Sequence, residues 1–249
     1  MTLYTTSTLD DPTAERTRRL RRAIYAGDRR ATGPGDVDPT EALDRSEFDG
    51  RRRIIQVVDG GEPVAQAVAR LSPALTDDDG APVGTIGHFE ARRNSHAAAR
   101  VLEETVAWLQ ERGAGRIVGP MNGDIWHGYR FSVGPHAQDP CLMEPYNPPW
   151  YAPMWADAGF EVCQTCHTRY GERLDRAVET LKPGWEQARA AGYRFLSLSE
   201  ADVDDPVGRV YRMLTLAFQV KEFVTDISEA EFRRLFGGEP LRVHRLRHR

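Results

Sequence analysis

The chain has 249 residues, of which 40% are hydrophobic and 28% are charged, and its formal net charge is −4. This composition is typical of a folded globular protein and excludes the disordered class, while the small net charge indicates no particular charged partner. The three cysteines are too few for a disulfide scaffold. No targeting signal precedes the first Arg-rich segment, and no apolar run approaches the roughly 20 residues that span a bilayer. We therefore expect a cytoplasmic protein that is not inserted in a membrane.

The first predicted element is a helix that begins after Asp10 and Asp11 and runs to about Tyr25. Pro12 in the first turn and the preceding aspartates are typical of a helix start. The helix is rich in arginine and could contact nucleic acid or phosphate, but acidic residues elsewhere in the chain balance its charge. The favoured interpretation is a solvated helix face without nucleic acid. Residues 27–50 are predicted to form a loop.

A sheet is predicted from residue 53 onwards. Two β-prone runs flank Asp59-Gly60-Gly61-Glu62, which is turn chemistry, so residues 54–71 are predicted to form a hairpin. Pro73 to Pro82 is predicted as a loop, and Val83 to Glu90 as a third strand. Apolar residues at helical spacing predict a helix over 95–112, followed by a short strand at 116–118. This order indicates an α/β (α+β) domain with a mixed sheet.

The pattern changes after residue 172. Residues 173–191 look helical but contain Pro183-Gly184, which predicts an interrupted helix or a linker. Residues 193–198 are strand-like, and one helix is predicted to begin at Pro206. Another begins at Ser228, which forms a capping box with Glu231. The basic tail, residues 241–249, is expected to be disordered.

Two stretches carry motifs that generic packing does not explain. They are Gly119-Pro120-Met121-Asn122-Gly123-Asp124-Ile125-Trp126-His127-Gly128-Tyr129-Arg130 and Glu144-Pro145-Tyr146-Asn147-Pro148-Pro149-Trp150-Tyr151, the latter followed by Ala158-Gly159-Phe160. With His88-Phe89-Glu90-Ala91, they resemble a bacterial group of the GNAT (Gcn5-related N-acetyltransferase) superfamily. The resemblance covers about residues 50–172.

The resemblance implies a fold and a division of the chain. It implies a mixed, mostly antiparallel sheet flanked by helices in a first domain, residues 1–172. Residues 173–249 would then be a linker and the opening elements of an incomplete second GNAT-like lobe with a basic tail. The sequence ends where the hairpin of that lobe is expected, so a partner chain that completes it, or self-association, is also expected.

The resemblance further implies an acyl-CoA-dependent N-acyltransferase that acts on a small-molecule or protein amine. In this family the pyrophosphate of acetyl-CoA or another acyl-CoA binds to backbone N–H groups of a glycine-containing loop at a helix start. The matching stretch here, Ala91 to Ala98, contains no glycine. Arg92, Arg93 and Ser95 could instead bind the phosphates through their side chains. The alternative is a non-catalytic GNAT-like binding module without a competent CoA site.

Candidate catalytic residues follow from the same resemblance. Glu90, at a strand end, is the candidate general base, and Tyr170 or Tyr146 is the candidate acid for the leaving thiolate. Each has an alternative interpretation: Glu90 could pair with Arg92 or Arg93, and the tyrosines could simply pack.

A second group of residues favours a small-ligand site, because aromatic walls with a few convergent polar groups suit such a site. The alternative is a stiff Pro-rich loop anchored by aromatic side chains. The candidate substrate-binding residues are Asn122, Trp126, Tyr129, Arg130, Glu144 and Asn147.

Cys163-Gln164-Thr165-Cys166-His167 matches the spacing for covalent haem attachment. The resemblance places a strand there, in which Cys163 and Cys166 would face opposite sides of the sheet. A zinc site would need a further ligand pair. We therefore expect neither haem nor a bound metal.

Overall fold

A computed structural model describes residues 1–28, 40, 51–134, 144–169, 173–195, 204–219 and 221–237. The tyrosine at 170, most of the predicted loop 27–50 and the basic tail at 241–249 lie outside the described residues.

Five strands and six α-helices make up the described chain, together with a 3₁₀ turn at Ile125–His127. The strands are β1 (Thr2–Thr6), β2 (Arg52–Asp59), β3 (Glu62–Thr76), β4 (Pro82–Ala91) and β5 (Arg116–Val118). The helices are α1 (Asp11–Ile24), α2 (Ser95–Gln110), α3 (Tyr151–Asp157), α4 (Leu174–Ala190), α5 (Pro206–Phe218) and α6 (Glu229–Phe236).

The strands form one sheet in the order β1-β2-β3-β4-β5. The first three pairings are antiparallel, and β4 pairs with β5 in parallel. A parallel neighbour needs a crossover connection, and α2 provides it between β4 and β5. The predicted mixed, mostly antiparallel sheet flanked by helices is therefore confirmed.

The two faces of the sheet differ in chemistry. One face carries small and branched apolar side chains, which pack with α2 and α3 into the main hydrophobic core. The other face carries Gln56 and Gln66, which are buried and hydrogen-bonded to each other, with 2.7 Å between Gln56 Nε2 and Gln66 Oε1. Helix α1 satisfies them because the Thr17 hydroxyl donates to Gln66 Oε1 at 2.6 Å. A buried amide needs such partners, so this network fixes α1 on the sheet.

The arginines of α1 contact the sheet as well as solvent. Arg16 donates to Gln56 at 2.6 Å, and Arg19 pairs with Glu62 at 2.5 Å. The contact of Arg16 is partly buried, whereas the ion pair of Arg19 lies at the surface, as the predicted solvated helix face allows.

Several local predictions differ from the structure. Strand β1 was not predicted, because a short Thr-rich edge strand carries little apolar pattern. Strand β3 continues into the first part of the predicted loop and ends at Thr76. Its register with β4 shifts between Ser72 and Thr76. Helix α4 runs unbroken through Pro183, although an interior proline removes one backbone hydrogen bond from a helix. Residues 161–169 form neither helix nor strand, so the expected strand is absent there.

The chain divides into two compact units. The first comprises Met1–Phe160 together with Ala217–Ile227, and the second comprises Glu161–Leu216 and Ser228–Arg249. In the second unit the Ser228 hydroxyl accepts from the Glu231 N–H at 3.1 Å, which confirms the predicted cap, and Arg233 pairs with Asp205 at 2.6 Å. Among the described residues, no helix has the length and apolarity needed to cross a bilayer.

Candidate functional site

Strand β4 leaves its regular pairing just before its end. Its register with β3 shifts between Val68, which faces Gly87, and Gln66, which faces Glu90, so His88 and Phe89 form a bulge. His88 has a φ of 46°, a left-handed conformation that a non-glycine side chain adopts at an energetic cost. Bulges of this kind re-aim side chains and are common beside functional sites. The bulge therefore marks the end of β4 as the place to look for chemistry.

Strand β5 separates from β4 before this bulge. The parallel pairing ends with Thr85 facing Val118. The chain then turns through Gly119-Pro120, a cis peptide bond. One more backbone hydrogen bond, from Met121 N–H to the Ile86 carbonyl at 2.8 Å, joins the two segments.

Asn122 occupies the gap that this separation leaves. Its side-chain oxygen accepts from the His88 N–H at 2.7 Å, and its amide nitrogen donates to the His127 carbonyl at 3.0 Å. Its own carbonyl accepts from Arg70 at 2.6 Å. Asn122, predicted as a substrate-binding residue, thus ties the bulge to the loop after β5.

Glu90 follows the bulge and is the centre of a set of polar side chains, here named the Glu90 cluster: Arg21, Tyr25, Glu90 and Tyr151. Arg21 lies 2.7 Å from Glu90 Oε1, and the Tyr151 hydroxyl donates to Oε2 at 2.6 Å. The Arg21 guanidinium also lies over the Tyr25 ring, 4.9 Å from its centroid. The Glu90 side chain is only 14% exposed. Glu90 therefore pairs with Arg21, and the alternative interpretation that it pairs with Arg92 or Arg93 is wrong.

The ionisation of the Glu90 cluster follows from its burial. Burial raises the pKa of Glu90 above its ordinary value, although the charge of Arg21 and the hydrogen bond from Tyr151 oppose this. Burial and the nearby Glu90 charge both raise the pKa of Tyr151, and the same two causes raise the pKa of Tyr25. Both hydroxyls therefore keep their protons, and that of Tyr151 donates to Glu90. A carboxyl whose pKa is moved towards neutrality is suited to accept a proton from an amine.

The last residue of β4 is held by aromatic side chains. The Ala91 N–H donates to the Tyr151 hydroxyl at 3.0 Å, and the Ala91 carbonyl accepts from the Trp150 indole at 3.0 Å. Both side chains come from the start of α3, in the Pro-rich motif. Tyr151 thus joins backbone and carboxylate, and its ring packs edge-on against Phe89 at a centroid distance of 5.0 Å.

The start of α2 is the predicted phosphate end of a CoA site. Asn94 caps the helix, since its side chain accepts from the Ala97 N–H at 3.0 Å. Arg92 is engaged with the Pro63 carbonyl at 3.1 Å and with Glu62 at 3.2 Å. Arg93 and Ser95 are exposed. Of the three predicted phosphate-binding residues, these two are the ones that face solvent.

The other predicted substrate-binding residues fall into two groups. Trp126 and Tyr129 belong to the loop after β5, where the Trp126 ring lies 5.3 Å from the Phe218 ring and Tyr129 packs against the cluster of Leu75, Val83, Val118 and Met121.

Arg130, Glu144 and Asn147 form the second group. Arg130 pairs with Glu144 at 3.0 Å. Asn147 binds both backbone groups of Ser132, accepting from its N–H at 2.7 Å and donating to its carbonyl at 3.1 Å. These contacts hold two segments of the chain together, and the substrate role of the whole set stays a prediction.

A buried pair that the sequence did not single out lies beside Trp126. Asp124 Oδ1 is 2.6 Å from His127 Nδ1, and Oδ2 accepts from the Thr225 hydroxyl at 2.7 Å. Burial would raise the pKa of Asp124, but the hydrogen bonds from His127, Thr225 and the Trp126 N–H lower it overall. This pair anchors the segment Ala217–Ile227 to the first unit.

The sequence located the carboxylate of the Glu90 cluster but not its partners. Arg21, Tyr25 and Tyr151 come from distant parts of the chain, and the one signal for Tyr151 was its place in the Pro-Pro-Trp-Tyr motif. Tyr146, a candidate acid, hydrogen-bonds to Asp28. The role predicted for Tyr170 lies outside the described residues.

The cysteine motif gives no sign of a bound group within the described residues. Cys163 and Cys166 are free and exposed. No group of three or more metal-ligating side chains occurs in the part of the chain that the structure describes.

Comparisons with known proteins give weak similarity of shape. No family model matches the chain, and no curated protein matches its sequence. An aminoglycoside 6'-N-acetyltransferase from Acinetobacter haemolyticus overlaps with a TM-score of 0.43 and 9% identity, over 69% of this chain and 99% of that one. A predicted acetyltransferase from Clostridium acetobutylicum, with acetyl-CoA, overlaps with a TM-score of 0.42 and 13% identity, over 70% of this chain and 97% of that one.

A transcriptional regulator from Bacillus halodurans gives the same TM-score, 0.42, and the same identity, 13%, over 68% of this chain and 100% of that one. Because the similarity of shape is weak, we infer the chemistry of the site from the residues of this chain alone.

Proposed function

We propose that the chain is an acyl-CoA-dependent N-acyltransferase of the GNAT kind, acting on a small-molecule or protein amine. The observation that carries the proposal is the position of Glu90. Its shielded carboxylate directly follows a bulge at which β4 has already parted from β5. A positioned carboxylate that can accept a proton from an amine is what amine acylation needs, and the sequence motifs of this region resemble the same superfamily.

Each part of the arrangement has a chemical task. The bound acyl donor would supply an activated thioester carbonyl. An extended ligand that pairs with the edge of β4 beyond Thr85 would have to displace the side chains of Asn122, Tyr151 and Trp150, which now hold its backbone groups. Glu90 would take the proton from the attacking ammonium group, since its raised pKa makes it a stronger base than a solvated glutamate. Tyr151 holds the carboxylate in place through the 2.6 Å hydrogen bond.

The phosphate end of the donor would lie at the start of α2. A helix N-terminus favours anions through its N–H groups and its dipole. Arg93 and Ser95 are exposed there and would supply the contacts that a glycine loop supplies elsewhere. Arg92 would support them indirectly, because Glu62 and the Pro63 carbonyl hold it.

A second candidate function is a non-catalytic binding module, and a specific observation favours it. Both backbone groups of Ala91 and the N–H of His88 already have side-chain partners, namely Tyr151, Trp150 and Asn122. An acyl-CoA that needs these groups would have to displace those partners, and each lost hydrogen bond weakens binding.

Acetyl-CoA binding separates the two functions. A ligand that binds only the native protein raises its melting temperature in proportion to the logarithm of ligand concentration. We expect acetyl-CoA at millimolar concentration to stabilise the protein, and Arg93→Glu to weaken that stabilisation. Arg100→Glu is the matched control, since Arg100 is also exposed on α2 but lies away from its start. No stabilisation of the unaltered protein would reject the enzyme in favour of the binding module.

We also propose that the protein works in the cytoplasm. The exposed free thiols of Cys163 and Cys166 suit a reducing compartment.

A further inference from the structure

Helix α4 carries an apolar stripe that stays largely exposed, although the Phe195 ring lies 5.9 Å from the ring of Trp185 at one end of the stripe. Of its 17 residues, all of which the structure describes, none is buried. The stripe consists of Leu174, Val178, Leu181 and Trp185, which are 71%, 67%, 69% and 42% exposed. Successive members are separated by four, three and four residues, and Ala188 extends the pattern by three more. This is the alternating spacing of the a and d positions in a coiled coil.

The helix needs a partner for its own stability. Pro183 removes one backbone donor from the helix, and Gly184 is among the poorest helix-forming residues. Most helical stability in proteins comes from packing of an apolar face, since short isolated helices are marginal in water. A helix with an exposed stripe and two weak positions therefore points to an interface.

We infer that α4 pairs with α4 of a second copy of this chain in an antiparallel two-helix contact. With Val178 and Trp185 at a positions, the flanking e positions are Asp175, Lys182 and Arg189. In an antiparallel pair, e positions of the two helices face each other. Asp175 then faces Lys182 of the second copy in one register and Arg189 in the register shifted by one heptad.

The charged side chains at the e positions favour the antiparallel arrangement over the parallel one. In a parallel pair, e positions face g positions, which here are Ala177 and Gly184 and carry no charge. The antiparallel pair instead forms two symmetrical opposite-charge contacts, as a two-fold axis requires. In the register that uses Arg189 the axis also brings Lys182 of the two copies face to face, so the register in which Asp175 faces Lys182 is favoured. In the single chain Asp175 pairs with Arg173 at 3.0 Å, and this exposed contact can be exchanged for a cation of the second copy.

The charge of the polar face argues against a membrane as the occupant. It carries three acidic side chains and three basic ones, so its formal charge is zero: Asp175, Glu179, Glu186, Arg176, Lys182 and Arg189. Helices that lie on anionic lipid are rich in lysine and arginine on this face. A second copy of α4 would cover the apolar stripe and would also pair Asp175 with a basic side chain.

The test is the association constant of the full chain by sedimentation equilibrium. We expect a concentration-dependent dimer that Leu181→Glu weakens by about a hundredfold or more, because the new charge would be buried in the contact. Gln187→Glu is the matched control: it adds the same charge to the same helix, at an exposed position outside the stripe, and should leave the constant unchanged. Circular dichroism of both variants checks that the fold is retained.

A charge exchange tests the orientation. Asp175→Lys should weaken the dimer several-fold, which is the scale of two exposed ion pairs. Adding Lys182→Asp restores the dimer in the first register, and adding Arg189→Asp restores it in the second. A monomer at all concentrations overturns the proposal, as does a dimer that Leu181→Glu leaves intact. The proposal is also overturned if neither Lys182→Asp nor Arg189→Asp restores the dimer of Asp175→Lys. A monomer that binds anionic vesicles through α4 would overturn it as well.

Discussion

Glu90 should make the stability of the protein depend on pH. Burial raises its pKa above the ordinary 4.5, so the folded protein holds the proton more tightly than the unfolded chain does. The resulting stability is complete below about pH 4.5 and is lost as the pH rises through the higher folded value. Glu90→Gln cannot ionise and escapes this loss. We expect urea unfolding to show that the difference in the free energy of unfolding, Glu90→Gln minus the unaltered protein, increases between pH 4.5 and 8.

Glu111→Gln is the control for this experiment, since Glu111 is a carboxylate with 73% of its side chain exposed. Its substitution should leave the pH profile of stability as it is. If the difference between Glu90→Gln and the unaltered protein shrinks with rising pH, the environment assigned to Glu90 is wrong.

Asp124 has the opposite pH dependence. Its pKa is lowered, so the stability that it adds is present above its ordinary value of 3.8 and is lost as the pH falls through the lower folded value. Asp124→Asn should cost about 1–3 kcal/mol at pH 7, the usual cost of disrupting a buried hydrogen-bonded group. Chemical unfolding at pH 7 and in steps towards pH 3 should show this deficit shrink.

Asp157→Asn, at an exposed position on α3, should change the free energy of unfolding by less than about 0.5 kcal/mol. A deficit of Asp124→Asn that grows in acid would contradict the role given to the Asp124–His127 pair.

The sequence pointed to Glu90 through the resemblance of His88-Phe89-Glu90-Ala91 to the end of a GNAT strand. It did not show Arg21 or Tyr151, because they lie 69 and 61 residues away along the chain and meet Glu90 only in the folded sheet. Nor did the sequence distinguish a ligand-binding asparagine from one that ties loops, since both need the same side chain. Asn122 and Asn147 show how the fold supplies partners that the motif does not name.

The junction of β4 and β5 depends on the absence of a side chain at Gly87. A Cβ atom there would lie 2.4 Å from the Met121 carbonyl oxygen and 2.6 Å from the side-chain oxygen of Asn122. Gly87→Ala should therefore push Asn122 from the bulge and destabilise the protein by about 1–3 kcal/mol. Thermal and denaturant unfolding measure this directly.

Gly184→Ala provides a comparison within a helix. Apart from its chain neighbours and the backbone of its own helix, nothing lies within 4 Å of the added Cβ at Gly184, so alanine there should stabilise by roughly 0.5–1 kcal/mol. Equal effects of the Gly87 and Gly184 substitutions would show that the β4–β5 junction is not tightly packed.

Helices and strands that carry a regular apolar pattern could be predicted from the sequence. Those that form only because another part of the chain pairs or packs with them could not. The sequence predicted α2, β4 and the Ser228 cap because each carries its own signal. Strand β1 forms because β2 pairs with it from Thr2 to Thr6, a contact that no pattern within β1 announces. The path of α4 through Pro183 likewise could not be read from local propensity.

The segment Ala217–Ile227 shows how distant sequence completes the first unit. The Trp126 indole donates to the Thr225 carbonyl at 3.0 Å, and Arg116 pairs with Glu222 at 2.6 Å. Residues 173–249 were predicted to be a linker and the start of a second lobe. That division stays a prediction, and this segment within it packs against the strands and loop of the first unit.

Across the chain, the Glu90 cluster, the bulge and the start of α2 are the parts of the proposed acyltransferase, while Trp150, Tyr151 and Asn122 occupy part of the strand edge. The rate at which the protein releases CoA thiol from acetyl-CoA tests the central claim. In the presence of polyamines, amino sugars or lysine peptides, one amine class should accelerate release above the uncatalysed rate. Glu90→Gln should lower that rate by about a hundredfold or more, the usual contribution of a general base. Release at the uncatalysed rate with every amine, or an unchanged rate for Glu90→Gln, would contradict the account.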